Sequence, residues 1–463
     1  MKANHLKHLY WRAGFGIDIE KIAVLKKSSR KATVNDLFKA SKHIRPLTLD
    51  FTEFDDYYTK NYKELKSKYT REEIDKFRKK NNLKQRELNT AWLERLNDDK
   101  AILREKMTLF WANVFVCKDN NTFHIQNYNN TLRNHALGNL RTFVKAIARE
   151  ASMSKYLNNR QNSKQSPNEN FARELMELFT LGIGNYTESD IKAAARAFTG
   201  WSFKSDGSFF LIKRRHDYGQ KTFFGKTGNF DGDAIIDLIL ENKQCARFIC
   251  EKIYKYFVNP IPNARHLKQM TDVFYSDYDI ENLMQFVFSA DWFYKTENIG
   301  VKIKSPVELL LGIQKIVPIT FNKPKQLFYL QKMLGQILLY PENVSGWKGD
   351  KSWIDSNTLM FRLKLAALLL NNAVINLDEK GEFEDAFEKY YKKVKRGKQF
   401  ISTEKQWDVF DRIYGKLTPL ALKEILINSP IDNDTLMLLE NLNIENNRDY
   451  CIQLMSIPEY QLC

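Results

Sequence analysis

Little in this chain forces a turn. Across 463 residues there are 19 Gly and 11 Pro, too few for the closely spaced turns of a many-stranded sandwich, so long helices are expected. Cysteine is sparse and odd in number: Cys117, Cys245, Cys250, Cys451 and Cys463, with no Cys-x-x-Cys pair. That pattern excludes a disulfide framework and a thiolate zinc site, and free thiols suit a reducing compartment. No apolar run approaches the ~18 residues of a membrane span. The longest candidate, Leu363–Leu370, reads as a short core helix. The opening MKANHLKHLYWRAGFG lacks the apolar stretch of a signal peptide, so a cytoplasmic location is expected.

Positive charge, by contrast, is plentiful and one-sided. The net charge is +16, with 34 Lys+Arg against 18 Asp+Glu in residues 1–165 and 38 against 38 in the remainder. The whole excess sits in the first third. Such a field favours an acidic partner surface, and Lys76, Lys79 and Lys80 lie in its most charged stretch. No nucleic-acid recognition motif accompanies the charge, which ranks nucleic-acid binding last.

The pattern is mainly α: a multi-helix globular protein with one small β-hairpin excursion near 207–225, the only strand region expected. Three regions follow: a basic N-terminal helical region (1–130), a central helical core with hairpin and candidate site (131–345), and a C-terminal helical region (346–463). Thr70-Arg71-Glu72-Glu73 is a capping box. The helix it starts is expected to break at Asn81-Asn82, with a second running from Lys84 to Leu96. Ile102, Met107, Phe110, Trp111 and Val114 mark a core helix. A helix is also expected over Glu382–Lys395, acidic at its start and basic at its end.

The richest segment is Ser166–Trp201, SPNENFARELMELFTLGIGNYTESDIKAAARAFTGW. Ser166 caps, Pro167 takes the first helical position, Glu169 reaches back, and Gly182 ends the helix. Glu169, Arg173 and Glu177 share a face, which places Arg173 between carboxylates at i−4 and i+4. Glu174 is the acid least accounted for by capping or pairing. Thr187-Glu188-Ser189-Asp190 caps a second helix whose alanines permit close packing. Its lone Arg196 is expected to pair with an internal carboxylate. Arg214-Arg215-His216-Asp217, with Lys221, forms the densest polar cluster off the helices. Histidine is the side chain most often used for acid/base work, which makes His216 a candidate. Strand alternation turns His216 and Asp217 to opposite faces, so they are not expected to touch.

Other motifs resolve to ordinary structure. Gly225-Lys226-Thr227 resembles the end of a phosphate-binding loop, but Gly219 is misplaced and Gln220 stands where Gly is required. Asp231 and Asp233 lack the glycine and final Glu of a calcium loop, and Asp233 reads as a helix cap. Ser305-Pro306-Val307-Glu308 is a further capping box. Trp347 and Trp353 read as sealing the edge of the core.

Seven blocks in order, HLYWRAGFG, LFWANVF, PNENFARELMELFTLGIGNYTE, ARAFTGW, HDYGQKTFFG, KSPVELL and PENVSGW, resemble the bacterial family known as domain of unknown function 1800. The resemblance spans most of the chain and implies a mainly helical protein. It also implies a partner, because members are often encoded beside an alkaline-phosphatase/sulfatase-like protein, and many are exported. It carries over no catalytic residues. Where members often have Trp-His-Asn-His, this chain has Trp111-Ala112-Asn113-Val114, without the histidines.

The sequence leads to a hydrolase-like enzyme. Arg173, Glu174 and Glu177 would converge with His216, Asp217 and Lys221 in a cleft for acid/base or metal-assisted work. It names no cofactor. The alternative is a helical scaffold docking an acidic protein, such as an operon neighbour, on its basic third.

Overall fold

The helix Ile102–Ala112 is buried along its whole length, so the elements around it must satisfy three consecutive charged residues at its start. A computed structural model, describing residues 1–371 and 401–463, accounts for each. Arg104 donates to the carbonyls of Ser41 (2.7 Å) and Arg133 (2.8 Å). Glu105 accepts from Arg133 Nε (2.6 Å). Lys106 donates to Gly14 O (2.7 Å) and to Glu308 Oε1 (2.5 Å). The expected helix at Glu382–Lys395 lies outside the described residues.

Around this axis the fold is mainly α. One large apolar core runs from Leu6 to Tyr460 and draws on all three sequence regions, and a small second cluster forms around Phe51 and Tyr58. The helix Ala3–Ala13 buries Arg12, whose guanidinium reaches Val258 O, Asn298 O and Cys463 Sγ. Near the end of the chain, Ile303 pairs with Leu462. All five cysteines are buried and free. Among the described residues, no helix is long and apolar enough to cross a membrane.

Local signals fare well where the partner is close in sequence. Capping boxes form at Thr70, Thr187 and Ser305, with Glu73, Asp190 and Glu308 closing them. Three expectations are corrected. Asn81-Asn82 does not break its helix, which runs unbroken over Arg71–Asn97. Asn81 is buried instead, donating to Asn120 O and accepting from the Thr122 N–H, so tertiary bonds outweigh its weak helix propensity. Ser166 does not cap. It turns back on Ser163, and the helix begins only at Asn170, after the Asn162 and Asn168 side chains take the preceding N–H groups. Strands also extend beyond 207–225. Three two-stranded antiparallel sheets are present among the described residues: Trp201–Phe203 with Phe209–Leu211, Lys221–Phe223 with Lys226–Gly228, and Ile319–Phe321 with Thr403–Lys405. Each strand has three residues, too short for alternation to mark it.

Glu308 has a second role beyond its cap. Lys302 Nζ lies 3.1 Å from the same Oε1 that Lys106 holds. Burial alone would push this carboxyl up. The charges of Lys106 and Lys302, with the Lys106 bond and the Ser305 N–H, hold it well below the usual glutamate range. Burial pushes the Lys106 ammonium down to about 8, with Glu308 opposing. Removing one partner from such a group strands buried charge. Glu308→Gln should therefore cost about 3–5 kcal/mol in urea unfolding, whereas Thr70→Ala should cost only ~1 kcal/mol. A carboxyl whose folded pKa is depressed contributes stability above its unfolded value. That contribution should be lost from the wild type, and not from Glu308→Gln, as pH falls below 4.5.

Candidate functional site

Arg173 sits on the short helix Asn170–Glu174, which continues as a π-helical turn over Leu175–Thr180. The wider turn is fixed by Leu181 N–H reaching back to Met176 O and by Thr180 Oγ1 donating to Leu175 O (2.6 Å). π turns are uncommon and recur at functional sites. Glu169 does not reach back to a cap here; it accepts from Arg173 (3.1 Å). Arg173 also makes a bidentate pair with Glu188 at 2.9 Å on both arms and lies 3.6 Å from Glu177. Glu177 in turn accepts from the Tyr186 hydroxyl. Glu174 makes no hydrogen bond or ion pair. Burial pushes its carboxyl up, and the neighbouring Glu177 adds to this.

The second set rides on the loop between the first two sheets. Arg196 Nε donates to Asp217 Oδ2 (2.7 Å), the expected internal pair. Lys221 is buried, and its Nζ donates to the carbonyls of Asp217 (2.7 Å) and Gly219 (2.9 Å). The Asp217 N–H donates to Thr199 Oγ1 (2.8 Å). His216 turns the other way, although both residues lie in the loop and outside any strand, so strand alternation is not the cause: its Nδ1 lies 2.7 Å from Thr199 O. A ring nitrogen that close to a carbonyl carries the proton, which leaves Nε2 of the neutral ring as an acceptor. Gly200, with φ +76°, makes the approach possible. A Cβ there would lie 2.8 Å from Ile212 O and 3.0 Å from His216 N.

His216 lines a groove of about 320 Å³, together with Tyr218, Arg149, Trp201, Asp231 and Asp233. Asp231 caps the helix Gly232–Glu241, accepting from the Ala234 N–H (2.9 Å). This corrects the expectation that Asp233 is the cap. Asp233 instead pairs with Arg149 through Oδ2, and its Oδ1 is buried without a hydrogen-bond partner. The Arg149 guanidinium lies over the rings of Trp201 (5.1 Å) and Phe209 (5.3 Å).

The six residues singled out in the sequence thus fall into two sets. Arg173 is tied to Glu188 at the start of the helix Glu188–Ala197, and Asp217 to Arg196 near its end. Eight residues of helix separate these anchors by roughly 12 Å. No hydrogen bond or ion pair joins Arg173, Glu174 or Glu177 to His216, Asp217 or Lys221. Sequence reasoning missed Arg149 and the groove-facing part of Asp233, which lie 84 positions apart in the chain. Among the described residues, no three His, Cys, Asp or Glu side chains converge as metal ligands.

Two outcomes follow from this geometry. A folded acid with a raised pKa holds its proton longer than the unfolded chain, so stability falls as pH rises through that window. Glu174→Gln should therefore leave stability at pH 7 unchanged or higher, and should flatten the slope above 4.5, read by urea unfolding across pH. Gly200→Ala should cost about 1–3 kcal/mol through backbone strain and should shift the His216 ring resonances.

A family model described as a protein of unknown function, DUF1800, matches residues 8–462. No curated protein and no solved structure gives a significant match. The match takes in the central helix, both polar sets and the groove, and the chain belongs to the DUF1800 family.

Proposed function

We propose that the groove around His216 is an acid/base site that activates water against a small polar substrate. The observation that carries this reading is the 2.7 Å contact between His216 Nδ1 and the Thr199 carbonyl. Thr199 O holds the Nδ1 proton, so Nε2 is the free acceptor on a residue of the groove wall. In the reaction, Nε2 would take a proton from water as its oxygen attacks, and the imidazolium would return that proton to the leaving group. Arg149 is the cation on hand for developing negative charge, and its pairing with Asp233 orients it. The groove's volume suits a small molecule and excludes a folded polymer segment.

Asp217 and Lys221 serve here as positioning residues. The first ties the loop to Arg196 and Thr199, and the second ties the loop's carbonyls together. Arg173, Glu174 and Glu177 sit at the far end of the helix that Arg196 ends, and would act on the site only through it.

The test has two arms. A panel of chromogenic esters, phosphoesters and glycosides is screened with wild type and His216→Asn. Turnover on any substrate should fall roughly 10²–10⁴-fold in the variant at an unchanged fold. Independently of substrate, nitrogen-15 shifts of His216 should show the proton on Nδ1. A proton on Nε2, or wild-type turnover in the variant, would sink the proposal.

A further inference from the structure

A second cavity carries a surplus of positive charge that the first groove, with Asp231 and Asp233 against Arg149, does not. It encloses about 340 Å³ between the helix Ile102–Ala112, the helix Lys243–Phe257 and the loop that carries Trp347 and Trp353. Its walls are aromatic: Phe110, Tyr256, Trp347 and Trp353. Trp347 is buried, and among the described residues its indole N–H has no acceptor.

The polar part of the lining is cationic. Lys302 Nζ lies 4.3 Å from the Tyr256 ring centre and shares Glu308 with Lys106. One carboxylate therefore serves two ammonium groups at the cavity floor, and that carboxylate also accepts the Ser305 N–H (2.7 Å). Lys252 is half-buried, makes no ion pair, and has only the Phe248 ring (4.7 Å) against its ammonium. Burial, and then the charge of Lys255, push Lys252 down to about 8, with Glu251 opposing. Lys255 also lines the cavity but is paired with Glu251 (2.6 Å). Asp350 is the one carboxylate in the lining, and it forms no ion pair with any of these lysines. The cavity therefore offers flat apolar walls and a surplus of positive charge.

We infer that this cavity binds a small organic anion: a flat apolar body held between Trp347, Trp353 and Tyr256, with its carboxylate or phosphate head on Lys252 and Lys302. The body gains from burial against aromatic faces. The head supplies the counter-charge that Lys252 lacks. The inference is independent of the His216 groove, and its failure would leave that reading untouched.

The experiment uses the full chain and three probes: 1-naphthoate, 1-naphthyl phosphate and the neutral 1-naphthamide, titrated by calorimetry at low salt. At least one anion should bind ten-fold or more tighter than the amide, and which of the two does so identifies the head. Lys252→Met should lower that anion's affinity ten-fold or more with the amide and the melting temperature unchanged. Lys252→Arg should restore it, and Lys255→Met should change it little. The inference is overturned if neither anion binds at millimolar concentration, if the amide binds equally well, or if Lys252→Met binds like wild type.

Discussion

Glu308 is the carboxylate on which the centre of the molecule turns. It closes its own helix cap through the Ser305 N–H, and it receives Lys106 from a helix 202 positions earlier and Lys302 from the approach to its own. Lys106 also binds the carbonyls of Trp11 and Gly14, so the first helix is fixed to the same point. Arg12, one residue beyond Trp11, carries the linkage on to Val258 and Asn298. Buried ion pairs add little net stability compared with apolar packing, but breaking one is costly. Here the arrangement joins the first region to the central one, through Lys106, Trp11 and Gly14 on one side and Glu308 and Lys302 on the other.

How much of this was legible in the sequence depends on the reach of each signal. Capping boxes close over three residues, so those at Thr70, Thr187 and Ser305 could be read directly. The Arg196 pair followed from a lone cation among buried alanines, whereas His216 and Asp217 diverge within a loop and not by the strand alternation expected for them. Asn81 was misread because its partner is an Asn120 carbonyl 39 positions away. Ser166 was misread because Asn162 and Asn168 serve the N–H groups that a capping serine would otherwise take. The strand Ile319–Phe321 was invisible because its partner, Thr403–Lys405, is remote and neither is long enough to show a period.

The candidate site follows the same rule. Sequence reasoning found polar residues and could not assign them to one space. Helical periodicity placed Arg173 between Glu169 and Glu177, and both contacts form. It could not show that Glu188 would also pair with both terminal nitrogens of the arginine, nor that Arg149 would arrive from another helix to hold Asp233. The π turn after Glu174 was also beyond reach, because no residue in Leu175–Thr180 announces a change from i→i−4 to i→i−5 bonding.

The charge asymmetry of the chain needs re-reading in this light. Residues 1–165 hold the whole formal excess of +16, but Lys7, Arg12, Arg104, Lys106 and Arg133 from that segment are buried. Lys7 and Arg12 are held by carbonyl oxygens of the later regions, and Lys106 by the carboxylate of Glu308. Part of the excess is thus internal and structural: the basic third supplies donors and the neutral remainder supplies acceptors. On the outside, Lys76 and Lys80 of the helix Arg71–Asn97 are already paired with Glu72 and Glu53. The count already includes those two carboxylates, so it is the buried cations, and not the surface pairs, that make the exposed excess smaller than +16. At the second cavity the surplus persists at close range, because Lys302 must share Glu308 and Lys252 has no carboxylate of its own. A local imbalance of that kind acts over a few ångströms in a low-dielectric wall, where it is far stronger than a diffuse field across a wet surface.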